Sequence, residues 1–247
     1  MDYSFYYRED LPTASSISGF DVFLSAYNFS ERLKKVFDAV ETSNKYWLIF
    51  PEYEFQEDEL PIGDNFLELT GKNEAYQGLQ IYKELDLESY RGGKICIDAT
   101  GFMRPQLLFL LNFLKTKGFR HIEFLYSEPA IYSKKEKTKF SYGAVTDTRV
   151  VIGYAGSSSP SDGKDLLIIA SGYDSTLIQK TAQFLENADI VHLLGFPSLK
   201  ADMYQENILR TLKAPDSLTS DTIFDPIFAP AADPFETASV IKTYIEK

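Results

Sequence analysis

Lys94-Ile-Cys-Ile-Asp98 is an apolar run, followed by Ala99-Thr-Gly-Phe-Met103 and then by an amphipathic stretch from Arg104 to Lys117. The run is too short for a buried helix and is rich in β-branched residues, so it reads as a strand. Pro105 suits the first turn of a helix, and Gly118 suits its end. The stretch is therefore a strand–turn–helix unit. The same unit recurs on both sides of it. Upstream, Phe20 to Ser25 reads as a strand. It leads through Asn28-Phe-Ser30 into a helix from Glu31 to Val40, with Leu33, Val36, Phe37 and Val40 at helical spacing. Tyr46 to Phe50 is a second strand, ended by Pro51. An acidic loop to residue 65 and a helix from Asn73 to Leu85 follow. Downstream, strands are expected at Arg120 to Tyr126, Thr148 to Gly153, Asp165 to Ala170 and Asp189 to Leu194. Helices are expected from Asp174-Ser175 to Leu185, from Ala201 to Leu212 and from Phe235 to Glu246.

Continuous apolar strands alternating with amphipathic helices indicate a parallel sheet covered on both faces. The expected fold class is α/β, Rossmann-like, with a mostly parallel sheet and helices on both faces. It is expected as a single domain over residues 1–247. A chain of 247 residues can bury its core without disulfides or metal.

The formal net charge is −11. An acidic surface repels nucleic-acid phosphates and anionic lipid, so neither non-specific nucleic-acid binding nor membrane association is expected. Cys96 is the one cysteine, and His121 and His192 are the two histidines. No internal disulfide, no structural zinc site and no cofactor are expected, and the reducing cytoplasm is the expected location. The first ten residues lack the pattern of a signal peptide. The longest apolar run, Leu107 to Leu111, is far shorter than a membrane span.

In open parallel sheets, ligands bind outside the carboxyl ends of the strands, where the strand order reverses. The loops after the strands are therefore the candidate site. In Asp98-Ala-Thr-Gly-Phe-Met-Arg104, Thr100 and Gly101 let the backbone approach a ligand. The following helix N-terminus offers free N–H groups to an anion, and Arg104 adds a full charge. Asp98 and Thr100 are equally suited to cap that helix. Ser25, Tyr27 and Asn28 stand at the end of the first strand. Tyr126-Ser127-Glu128-Pro129 precedes Lys134, Lys135, Lys137 and Lys139, which suit a lid over phosphates. Ser171-Gly172-Tyr173-Asp174 offers close approach, ring stacking and a helix cap. Gly195-Phe-Pro-Ser198 leads to Asp202, Tyr204, Glu206 and Asn207. Glu128, Asp98 and Glu206 are the carboxylates available for acid–base work, which also needs a positioned partner. No G-x-x-x-x-G-K-[ST], G-x-G-x-x-G or G-x-S-x-G pattern is present. Both histidines lie in strand-like runs and are expected as core or edge residues, which gives Ser–His catalysis little support.

Two segments carry resemblances. Ile97-Asp-Ala-Thr-Gly-Phe-Met-Arg-Pro105, following a buried strand, resembles the Thr-Gly motif of CARF-type domains, Rossmann-like sensors of cyclic oligonucleotides in bacterial antiviral defence. The resemblance implies Thr100 and Gly101 as ligand contacts. Where that family has a second Gly followed by Thr or Ser and Lys, this chain has Phe102, Met103 and Arg104. Phe20-Asp-Val-Phe-Leu-Ser-Ala-Tyr27 resembles the first motif of TIR domains, whose enzymatic members cleave NAD; no later segment matches their catalytic-Glu pattern. The chain as a whole is similar to an uncharacterised bacterial family.

The leading expectation is a sensor of a nucleotide or nucleotide-like ligand. It would take a small phosphorylated molecule and pair as a homodimer or with a protein partner. A nucleotide-processing hydrolase or glycosidase is the alternative, using one of the three carboxylates. A protein-interaction subunit is the second alternative.

Overall fold

The computed structural model describes residue 11 and residues 16–63, 65–129, 148–156, 165–185, 188–200, 203–214 and 225–246. The lysine run at 134–139 and most of the loop at 155–164 lie outside these residues. The chain divides into two compact units, and each has its own parallel sheet.

The first unit covers residues 10–130 and 150–156. Its sheet is built from β2 (Val22–Ala26), β4 (Lys45–Ile49), β5 (Phe66–Glu68), β6 (Lys94–Asp98) and β7 (His121–Leu125). The spatial order is β5-β4-β2-β6-β7 and every pair is parallel. The chain thus fills the sheet outward from β2 in one direction, then crosses back and fills it in the other. The order reverses between β2 and β6. A small parallel pair, β1 (Ile17–Ser18) with β3 (Val40–Glu41), completes the strands of this unit.

Alternation along the strands decides what each face buries. Val22, Leu24 and Ala26 of β2, with Ile95 and Ile97 of β6, point to one side. They pack there with Ile81 of α2 (Glu74–Glu84) and with Leu110 and Leu114 of α3 (Arg104–Thr116). Phe23 and Cys96 point to the other side, against Leu33 and Phe37 of α1 (Glu31–Ala39). Phe37 stacks on Trp47 with ring centroids 4.0 Å apart. Leu24, Leu33, Leu48, Ile97 and Leu114 are fully buried, and each contributes about 1.5–3 kcal/mol through its apolar surface. Cys96 is fully enclosed. Burial pushes its thiol well above the ordinary range, and the carboxylates of Glu123 and Asp98 add to the shift.

The second unit carries β8 (Asp165–Ala170), β9 (Ala188–Gly195) and β10 (Ile227–Ala229) in the order β10-β9-β8, all parallel. Among the described residues, three helices belong to it: α4 (Ser175–Ala182), α5 (Met203–Leu212) and α6 (Pro234–Ile245).

The α/β class and the parallel pairing agree with the sequence reading, but the strands form three sheets instead of one. Thr148 to Gly153 is not a strand. Val151 to Tyr154 form a turn, with Tyr154 N–H donating to Val151 O at 3.0 Å. Side-chain bonds hold this segment in place of a ladder. Ile152 N–H donates to Glu74 Oε1 at 2.9 Å, and the Tyr154 hydroxyl donates to Leu108 O at 3.0 Å. β-Propensity marks residues that suit a half-buried surface, and here that surface is helical. No helix among the described residues is long and apolar enough to cross a membrane.

Candidate functional site

The expected site residues fall at the carboxyl ends of the two sheets, one set in each unit. In the first unit, Ser25 and Asp98 are directly opposed in the β2–β6 register. Both are fully buried, and the Ser25 hydroxyl donates to Asp98 Oδ2 at 3.2 Å. Asp98 Oδ1 accepts the Thr100 N–H at 3.0 Å, and the Thr100 hydroxyl bonds the same carboxylate. Thr100 Oγ1 accepts the Ser127 N–H at 2.8 Å, and Ser127 O accepts Arg32 Nη1 at 2.6 Å. The chain of bonds therefore runs from β2 through β6 to the end of β7. Asp98 titrates above its ordinary range because burial penalises its charge. Hydrogen bonds from Thr100 and Ser25 and the Arg32 charge pull it back.

The loop after β4 folds over the same edge. The Tyr53 hydroxyl donates to Gly101 O at 2.7 Å, and the Tyr27 hydroxyl donates to Glu59 O at 3.1 Å. Burial raises the Tyr53 phenol above its usual range, while a bond with Asn28 lowers it and the Glu52 carboxylate raises it further. Gly101 has an internal reason to be glycine. A Cβ there would lie 2.4 Å from Ala26 O and 3.0 Å from Leu33 Cδ1.

Two helices start at this edge without a side-chain cap: α1, after Ser30, and α3, after Met103. By contrast, Asn73, Asp174 and Asp233 cap α2, α4 and α6 with their side chains. The first-turn N–H groups of an uncapped helix are left for solvent or an anion. Arg104 is exposed at the start of α3 and has no hydrogen-bond or ion-pair partner among the described residues. Glu128 is exposed beside the end of β7.

In the second unit, Asp174 Oδ1 caps α4, accepting the Thr176 and Leu177 N–H groups at 3.0 and 3.1 Å. Gly172 is exposed, and Ser198 donates to Lys200 O at 2.6 Å. Glu206 pairs with Arg210 at 2.7 Å. The Arg210 guanidinium also lies 4.9 Å from the Tyr173 ring centroid and donates to Tyr173 O at 2.9 Å. Tyr173 is thus held by α5, its own hydroxyl donating to Met203 O at 2.8 Å. Arg210→Ala is expected to cost about 1–2 kcal/mol, read as a lower midpoint in urea.

Sequence reasoning missed two features. Arg32 and Tyr53 tie loops together, and nothing in their spacing marks them. Ser171 Oγ lies 2.7 Å from His192 Nδ1, and both residues are buried. The pairing depends on the register that sets Ile169 opposite His192. Ser171 also lines a cavity of about 340 Å³ at the carboxyl ends of β8, β9 and β10. Among the described residues, no group of three or more His, Cys, Asp or Glu side chains is placed to hold a metal ion.

Comparison with protein-family models, with curated proteins and with solved structures finds no match to this chain.

Proposed function

We propose that the first unit binds a small phosphorylated, nucleotide-like ligand in the crevice between the β2–α1 and β6–α3 loops, as a sensor that leaves the ligand intact. One observation carries this reading. The strand order reverses between β2 and β6, and the two helices that begin there, α1 and α3, start without side-chain caps. Reversal points are where parallel sheets bind ligands, and uncapped N-termini attract anions. Arg104 supplies the full positive charge. The resemblance at residues 97–105 makes cyclic oligonucleotides of bacterial antiviral defence the ligand class to try first.

Two of the three candidate carboxylates are placed for structural work, which favours binding over catalysis at them. Asp98 is fully buried and held by Ser25 and Thr100. Glu206 is committed to Arg210.

The test is a thermal-shift and calorimetric titration with cyclic oligoadenylates, ATP and NAD. A ligand at 100 times its Kd adds about 2.7 kcal/mol to stability. Arg104→Ala is expected to weaken the bound ligand by about tenfold, the size of one charge-assisted contact. The ligand should be recovered unchanged by chromatography. Unaltered affinity in Arg104→Ala would remove the crevice from consideration, and product formation would replace sensing with catalysis.

A further inference from the structure

The cavity in the second unit has a different chemistry from the β2–β6 crevice. At about 340 Å³ it lies within the size range of small-molecule sites, roughly 300–1,000 Å³. Leu193, Leu194, Ala229, Pro230 and Pro234 supply most of its wall, and among the described residues no charged side chain lines it. Among the described lining residues, an anion meets no positive side chain.

The wall is fixed by hydrogen bonds of its own. Phe196 N–H donates to Ala229 O at 2.7 Å, and Ala231 N–H donates to Pro197 O at 2.9 Å. Asp233 caps α6, and the Thr237 hydroxyl donates back to Asp233 O at 2.9 Å. The cavity therefore exists before any ligand arrives.

Ser171 sets the polarity. A hydroxyl carries one proton and two acceptor lone pairs. Ser171 Oγ faces His192 Nδ1 at 2.7 Å and Ile169 O at 3.3 Å, and both residues of the Ser–His pair are more than nine-tenths buried. The carbonyl can only accept. Whether the Ser171 proton goes to that carbonyl or to the imidazole, it is already used. What remains for a ligand is a lone pair, which asks for an N–H or O–H donor.

We propose that this cavity binds a small, uncharged compound whose N–H or O–H group donates to Ser171 Oγ. Ser171 then selects among ligands of one shape. The site does not depend on the phosphorylated ligand of the first unit, and Arg104→Ala leaves it unchanged.

The experiment titrates the full chain with indole and with benzofuran, rings of one shape that differ in the donor, and with benzoate as the charged control. Calorimetry gives affinities, and amide NMR shifts give location. Indole is expected to bind about three- to tenfold more tightly than benzofuran, with shifts centred on residues 193–195 and 229–237, and benzoate is expected not to bind. Ser171→Ala should abolish the preference and bring indole to the affinity of benzofuran. Ala231→Leu adds volume at an exposed point of the wall and should abolish binding of both rings while the protein stays folded. The proposal is overturned by absence of indole binding, by equal affinity of the two rings, by a preference that survives Ser171→Ala, or by binding that survives Ala231→Leu.

Discussion

Gly101→Ala is expected to lower the melting temperature by roughly 5–10 °C. The added Cβ would stand 2.4 Å from Ala26 O, a main-chain atom in the last residue of a central strand. A flexible side chain could swing aside, but a strand carbonyl flanked on both sides by paired strands cannot. Leu33 Cδ1 at 3.0 Å and Asn28 Nδ2 at 3.3 Å close the remaining directions. Overpacking of this kind costs about 1–3 kcal/mol, and contact with backbone places it at the upper end. In a chain of this size each kcal/mol moves the midpoint by about 2–4 °C. Gly172→Ala is the control. Its Cβ would meet no atom within 4 Å, so its midpoint should move by no more than about 0.5 kcal/mol implies. Equal effects at the two glycines would show that close packing is not why residue 101 is glycine.

Asp98→Ala is expected to cost about 2–4 kcal/mol in chemical denaturation. It leaves the Ser25 hydroxyl and the Thr100 N–H without their acceptor in a buried place, and it opens a void beside them. Asp98→Asn should cost far less, under about 1 kcal/mol. Its amide oxygen still accepts the Thr100 N–H, and its amide nitrogen donates to Ser25 Oγ. The pH dependence separates the two states of the native carboxyl. Burial raises the native value above 3.8, so the folded chain holds this proton more tightly than the unfolded one. The stabilising contribution is then fully present below the unfolded value and is lost as pH rises through the raised native value. Between about pH 4 and neutrality, Asp98→Asn should gain stability relative to the native chain. A constant difference across that window would mean that burial does not displace this carboxyl.

The central strands were legible because they are buried on both faces and read as unbroken apolar runs. Lys94–Asp98 matches the sequence reading residue for residue; the edge strand Asp165–Ala170 matches it too, because its run is unbroken and apolar although it is largely exposed. The cap at Asp174 was legible too, because a short polar side chain before an amphipathic stretch has a local role. Partnership was not legible. A strand records its own burial and not its neighbour, so nothing in β8 or β9 announces that they pair away from β6. Phe66–Glu68 and Ile227–Ala229 are edge strands three residues long, too short to show a period. The candidate site was legible as a set of loops but not as bonds. Ser25 and Asp98 were expected to face a ligand, whereas their registered pairing turns each toward the other. His192 was expected as a core or edge residue, and it is buried. Its bond to Ser171 joins segments 21 residues apart, beyond the reach of any local pattern.

The enclosure of Cys96 has a practical side. Its thiol is fully shielded and held protonated, so maleimide dyes and spin labels should pass the folded native chain by. A cysteine introduced at exposed Lys34 or at exposed Lys200 would then react alone. One substitution gives each unit its own spectroscopic reporter on an otherwise native background. Titrations with nucleotides or with neutral rings can then be followed unit by unit.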